Sequence, residues 1–314
     1  MFVAGLGADV DPDLVNEALV VAPAEIRAGG PVLPRQRPES PVCRLCGSTE
    51  RSSREHIPPR SAGSDGRTRV HTITDWLDRA SLDEIPGGRF EQGGTWGYTL
   101  CEACNSATGR LSGSYKRWAA AAARFFVHDL RPVDEMNRDR QSKVLSIGLR
   151  DTHPGAFVRQ VMSLMFSISA EWDLRSRYPK LARSILDGTP TPFPDDLFLG
   201  MLLCAGPTAM TCGPTLHIDT SARTWRWISV LAFPPFAFEL ELARSDPPPR
   251  PTVACGIGGF FEVAEQTTAS VDLDLVIAFT NTAFPADWRT RAQIENGLDL
   301  DGRPSASPRP ADLS

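Results

Sequence analysis

Cys43-Arg-Leu-Cys46, followed by Arg54-Glu55-His56-Ile57-Pro58-Pro59 and closed by Cys101-Glu-Ala-Cys104-Asn105, is the stretch from which the rest of the chain is read. Two residues between paired cysteines let a tight turn aim both thiolates at one ion. Two such knuckles complete a tetrahedron of four sulfurs, the closed geometry of a structural zinc site. Between the pairs lie 54 residues, and this intervening sequence is rich in Gly, Ser, Asp and Arg with few periodic apolar residues. Such a segment cannot hold itself together by burial alone, so Zn²⁺ on Cys43, Cys46, Cys101 and Cys104 is expected to close the loop and replace the missing core. A thioredoxin-like redox pair fits less well, because that motif is single and follows a strand in a βαβ unit.

The three pieces in order, C-x-x-C, Glu-His-hydrophobic-Pro-Pro and C-x-x-C-Asn, resemble the HNH endonuclease family, specifically its members with a zinc-stapled ββα-metal (treble-clef) core. The resemblance covers roughly residues 41–113. It implies a hydrolase acting on DNA phosphodiester bonds and leaving 5′-phosphate and 3′-hydroxyl ends, with His56 as general base. It also implies Glu55 and Asn105 as ligands of a catalytic divalent metal, Mg²⁺ or Mn²⁺. A neutral imidazole can take a proton from water at physiological pH, and oxygen donors suit hard cations as thiolates suit zinc. Asn105 would lie in the first turn of the helix after the second knuckle, where backbone N–H groups also favour phosphate. Arg54 and Arg60, with Arg51, flank the pair as candidate phosphate contacts, although charged loop residues are as often simply solvated.

Adjacent residues of a strand point to opposite faces, so Glu55 and His56 could not meet one phosphate from a regular strand. Pro58-Pro59 forbids a continuing ladder and predicts a strand end or bulge there. The family's final His is Asn here. Many members also carry an Asn shortly before the second knuckle that orients the catalytic His; this chain has Gly94-Thr-Trp-Gly-Tyr-Thr-Leu100 instead. That departure motivates an alternative reading, a catalytically inactive zinc module that binds nucleic acid or a protein partner. A third reading is a zinc-thiolate redox switch.

Composition bounds the rest. A chain of 314 residues with 41% hydrophobic residues is too long and apolar for a disordered regulator. Its longest apolar stretch, near Leu197 to Ala205, is short of the roughly 20 residues of a membrane helix, and no basic residue precedes Arg27 to start a signal peptide. A cytoplasmic protein without a membrane partner is expected. Net charge is -5, yet residues 41–118 hold 11 Arg/Lys against 9 Asp/Glu, so the total does not exclude local phosphate binding. An odd seven cysteines argue against a disulfide framework, and Cys204, Cys212 and Cys255 read as small core residues.

The fold class expected is α+β: the zinc-bound treble-clef module followed by a larger α+β region. Residues 1–40 read as an N-terminal extension or linker, partly disordered, with one short helix over Leu14–Leu19. Residues 41–113 form the nuclease module, 114–296 an accessory region and 297–314 a disordered tail. Tyr115, Trp118, Ala122 and Phe125 recur at helical spacing over Ser114–Leu130. Phe157, Val161, Met165 and Trp172 mark a second apolar face whose Met-rich stripe reads as core. Pro179 to Asp187 is a helix stopped by Gly188. Trp225–Phe233, Phe236–Leu242 and Val271–Phe279 read as strands. His71 is a weak site candidate; His128, His153 and His217 read as structural. Phage defence or mobile-element biology follows only by analogy, and oligomeric state is not legible.

Overall fold

The computed structural model describes residues 3–4, 33–62, 68–70, 89–91, 94–128, 143–204, 210–219, 224–244 and 254–278. The expected helix at Leu14–Leu19, the tail at 297–314 and His71 lie outside them, as do the side chains of His128 and His217. The strands are β1 (Val3–Ala4), β2 (Ser52–His56), β3 (Thr68–Val70), β4 (Arg89–Glu91), β5 (Trp96–Cys101), β6 (Lys143–Thr152), β7 (Phe198–Cys204), β8 (Met210–Asp219), β9 (Thr224–Phe233), β10 (Phe236–Arg244), β11 (Cys255–Gly256) and β12 (Ala269–Ala278). The helices are α1 (Glu102–Gly109), α2 (Ser112–His128), α3 (Pro154–Ile168), the single turn α4 (Leu174–Arg177) and α5 (Pro179–Asp187). Helices and sheets are therefore mixed, as expected.

The large sheet has eight strands in the order β1-β8-β9-β10-β7-β12-β6, with β11 also paired to β7. Its pairs are antiparallel except β1 on β8 and β12 on β7. Successive residues of β10 face opposite sides: Phe236, Phe238 and Leu240 join the main core, while Ala237 belongs to a small second cluster. Against the core face lies α3, all fifteen residues of which are buried. A helix buried on every side must satisfy its own polar groups. Arg159 does so by donating to the carbonyls of Gly155, Ser184, Thr189, Phe261 and Val263 at 2.7–3.1 Å.

Punctuation residues fixed several boundaries. Pro154 and Pro179 open α3 and α5 at positions that need no N–H partner. Gly188, at φ 76°, closes α5 in the left-handed conformation that glycine adopts without strain. The Met-rich face is core: Met162 and Met165 are fully buried. The strand β6 was not anticipated, although Leu145, Ile147 and Leu149 alternate with Val144, Ser146, Gly148 and Arg150. The run at Leu197–Ala205 becomes β7, buried on both faces, which erases the alternation that identifies a strand. Of the three lone cysteines, Cys204 is buried, whereas Cys212 and Cys255 are half-buried.

Within the cysteine-bounded segment β2 and β5 pair as an antiparallel hairpin, and α1 leaves directly from β5. Its apolar residues Leu45, Ile57 and Leu100 join the same core as α2, α3 and the large sheet. Trp118 of α2 stacks on Phe157 of α3 with ring centroids 3.8 Å apart, and Phe157 in turn meets Phe236 and Phe238 of β10. Among the described residues, no helix is long and apolar enough to cross a membrane.

Candidate metal centre and the adjoining hairpin

The first knuckle is a tight turn in which Gly47 N–H donates to Cys43 O (2.8 Å) and Cys43 N–H to Ser48 O (2.9 Å). Gly47 sits at φ 79°, and a Cβ there would collide with the Arg175 guanidinium. Backbone N–H groups point at the sulfurs: Cys46 N to Cys43 Sγ (3.5 Å), Ser48 N to Cys46 Sγ (3.4 Å) and Cys104 N to Cys101 Sγ (3.5 Å). Cys101 also caps α1, so its sulfur lies at a helix N-terminus, where negative charge is favoured.

The four Sγ atoms all lie within 4.8 Å of one another, and Cys46 Sγ is 3.7 Å from Cys101 Sγ. Zinc–sulfur bonds of about 2.3 Å in a tetrahedron require sulfur–sulfur edges of about 3.8 Å. The donor set fits zinc. Its electrostatics ask for a cation as well: a hydrogen bond from Cys104 holds the Cys43 thiol down at about 4, while that same bond and burial push Cys104 far up. Burial chiefly raises Cys46. Cys43 ionises readily and Cys104 beside it then resists; a dication on the sulfurs removes that conflict.

The Glu-His pair ends β2, followed by a cis Ile57–Pro58 bond. The expected irregularity exists, but it falls between Ser53 and Glu55, where β5 carries the extra residue. It does not re-aim the pair. His56 remains opposite Trp96, and directly opposed residues share a face. Arg54, Trp96 and Tyr98 fall on that same face, with the Arg54 guanidinium 4.0 Å from the Trp96 ring centroid. Glu55 points the other way, into the core, with 4% exposure. Its Oε2 accepts from Thr99 Oγ1 and, at 2.7 Å, from Ser167 Oγ of α3. Burial is the main cause that raises the Glu55 carboxyl to about 7. Arg44, whose guanidinium donates to Ser167 O, offsets part of that rise.

Asn105 lies in the first turn of α1 and reaches back to β2, its Nδ2 donating to Ser53 Oγ (2.9 Å) and Arg54 O (3.0 Å). The structure thus joins the second knuckle, Asn105 and the strand of the Glu-His pair in one ββα unit. It does not join Glu55 to Asn105 as a hard-cation site. Mg²⁺ keeps several waters, and the Glu55 carboxylate is enclosed by two hydroxyls with almost no solvent access. In this arrangement the pair does not fit the hydrated ion expected of it.

The remaining candidates separate. Arg51, Arg54 and Arg60 are exposed; Arg51 contributes its carbonyl to Glu102 N–H (3.2 Å). His153 stands at the N-cap of α3, with Nδ1 3.4 Å from Thr267 O, a structural position. Sequence reasoning missed Thr99, Ser167, Arg44, Arg35 and Arg37. The alternation Trp96, Tyr98, Leu100 was the available sign of β5; nothing in the sequence ties Ser167 to Glu55. Compared with protein families, curated proteins and solved structures, the chain gives no significant match to any of them.

Proposed function

We propose that the 41–113 segment is a zinc-stapled nuclease module of HNH, treble-clef type that hydrolyses DNA phosphodiester bonds. The observation that carries this reading is the convergence of three sequence-distant pieces, in which Asn105 hydrogen-bonds the strand that ends in Glu55-His56, beside the four sulfurs. His56 takes the proton of a water that attacks phosphorus in line; the P–O3′ bond breaks and the 3′ oxygen leaves as a hydroxyl, consuming one water. Arg54, fixed over Trp96, balances charge on the phosphate oxygens. A hard cation at this centre would need ligands other than the Glu55 carboxylate as it is seated.

The zinc-loaded protein is expected to nick supercoiled plasmid in buffer containing Mg²⁺ or Mn²⁺, giving ends that DNA ligase reseals. Ends that ligase cannot reseal would contradict the bond assignment. The burial of Glu55 favours a second reading, a zinc module that binds nucleic acid without cutting it. Retention of DNA with no nicking in either metal is its signature.

A further inference from the structure

Residues 34–41, Pro-Arg-Gln-Arg-Pro-Glu-Ser-Pro, carry the composition of a linker, yet their first part lies along β5. Tyr98 N–H donates to Pro34 O (2.9 Å). Leu33 packs so closely on Gly97 that a Cβ there would stand 3.2 Å from its side chain. This docking brings two more arginines to the face of the hairpin that carries His56. The Arg35 guanidinium lies 4.6 Å from the Trp96 ring centroid and that of Arg37 lies 5.2 Å from Tyr98, while Arg54 already stands 4.0 Å from Trp96. The two rings meet edge to face with centroids 5.7 Å apart. Arg37 and Arg54 are exposed, and Arg35, Trp96 and Tyr98 are half-buried.

A guanidinium stacked on a ring is held in orientation, and in Arg37 and Arg54, which are exposed, the N–H edge can meet the oxygens of a phosphate, whereas Nη1 of Arg35 is buried. Two such groups on one face, one from the docked segment and one from β2, exceed what docking a linker requires. We propose that Arg37 and Arg54, held on Tyr98 and Trp96, form a surface that grips the sugar-phosphate backbone of duplex DNA beside His56. This rests on the nuclease reading for its substrate and extends it to a sequence-independent binding site. Contacts to phosphate position the duplex without reading bases.

The test is the salt dependence of binding to a short fluorescent DNA duplex, with zinc-loaded full-length protein in buffer free of Mg²⁺ and Mn²⁺. Each phosphate contact contributes about 0.9 to the slope of log K against log salt. The double variant Arg37→Gln/Arg54→Gln is expected to lower the slope by about 1.8 and to weaken binding equally for duplexes of unrelated sequence. Arg37→Lys/Arg54→Lys, which keeps the charge, is expected to restore most of the slope. Zinc content and thermal midpoint report folding in each variant. Unchanged slopes overturn the proposal, as does a lowered midpoint with wild-type salt dependence, which marks the arginines as packing groups only. Binding with these slopes but no plasmid nicking leaves the surface standing and removes the nuclease reading. Nicking with unchanged slopes does the reverse, and no DNA binding at all removes both.

Discussion

Glu55 and His56 are neighbours in sequence with opposite environments, and chain alternation is the cause. The order of the pair is legible from residue types, and so is the strand end at Pro58. The partner of Glu55 is not, because Ser167 lies 112 residues away on helix α3 and no spacing rule reaches it. A buried carboxyl with two hydroxyl donors acts as a strut, so Glu55→Ala, which strands the Thr99 hydroxyl and leaves Ser167 Oγ its bond to Ser163 O, is expected to cost about 1–3 kcal/mol in chemical denaturation. The sign of its pH dependence follows from the raised carboxyl. Between 4.5 and about 7 the folded chain keeps a proton that the unfolded chain has released. Stability is therefore greatest below this window and falls as pH rises through it, by roughly 3 kcal/mol at most. Glu55→Gln should flatten that slope. A wild type whose stability is level across the window, or rises with pH, would refute the strut.

The two knuckles, hairpin β2–β5 and α1 depend on one another. Their apolar contribution to the core is a handful of side chains, among them Leu45, Ile57 and Leu100, and the sulfurs hold the ends of the loop. Cys43→Ser, or a strong chelator, is expected to remove zinc and to expose the amides of β2, β5 and α1 to hydrogen exchange, since zinc binding at such sites contributes on the order of 10 kcal/mol. Retention of one zinc per chain and of amide protection in Cys43→Ser would contradict the assignment. Elements with strong local signals were the legible ones: α5 carries both its proline start and its glycine stop. The strand β7 was obscured by burial on both faces. The expected linker at residues 34–41 hid a contact because composition reports flexibility and not docking.

At the scale of the molecule, the sequence divides into a zinc-bearing segment and a larger region, but packing joins them. Leu45, Ile57 and Leu100 share one core with Trp118, Phe157 and Phe238, Glu55 accepts from Ser167 of α3, and Arg110 next to α1 pairs with Glu265 (2.8 Å). Calorimetry of the zinc-loaded protein is expected to show one transition, with Trp118→Ala lowering it as a whole by about 3–5 kcal/mol. Two resolved transitions would contradict a shared core. Helix α3, packed on the large sheet, thereby fixes the inner side of the hairpin through Ser167 and leaves the arginine-lined side facing outward. What that side does is decided by one comparison, the plasmid-nicking rate of wild type against His56→Ala, both carrying one zinc per chain. The account predicts a loss of about 10²–10⁴-fold in His56→Ala; equal rates in the two proteins would contradict it.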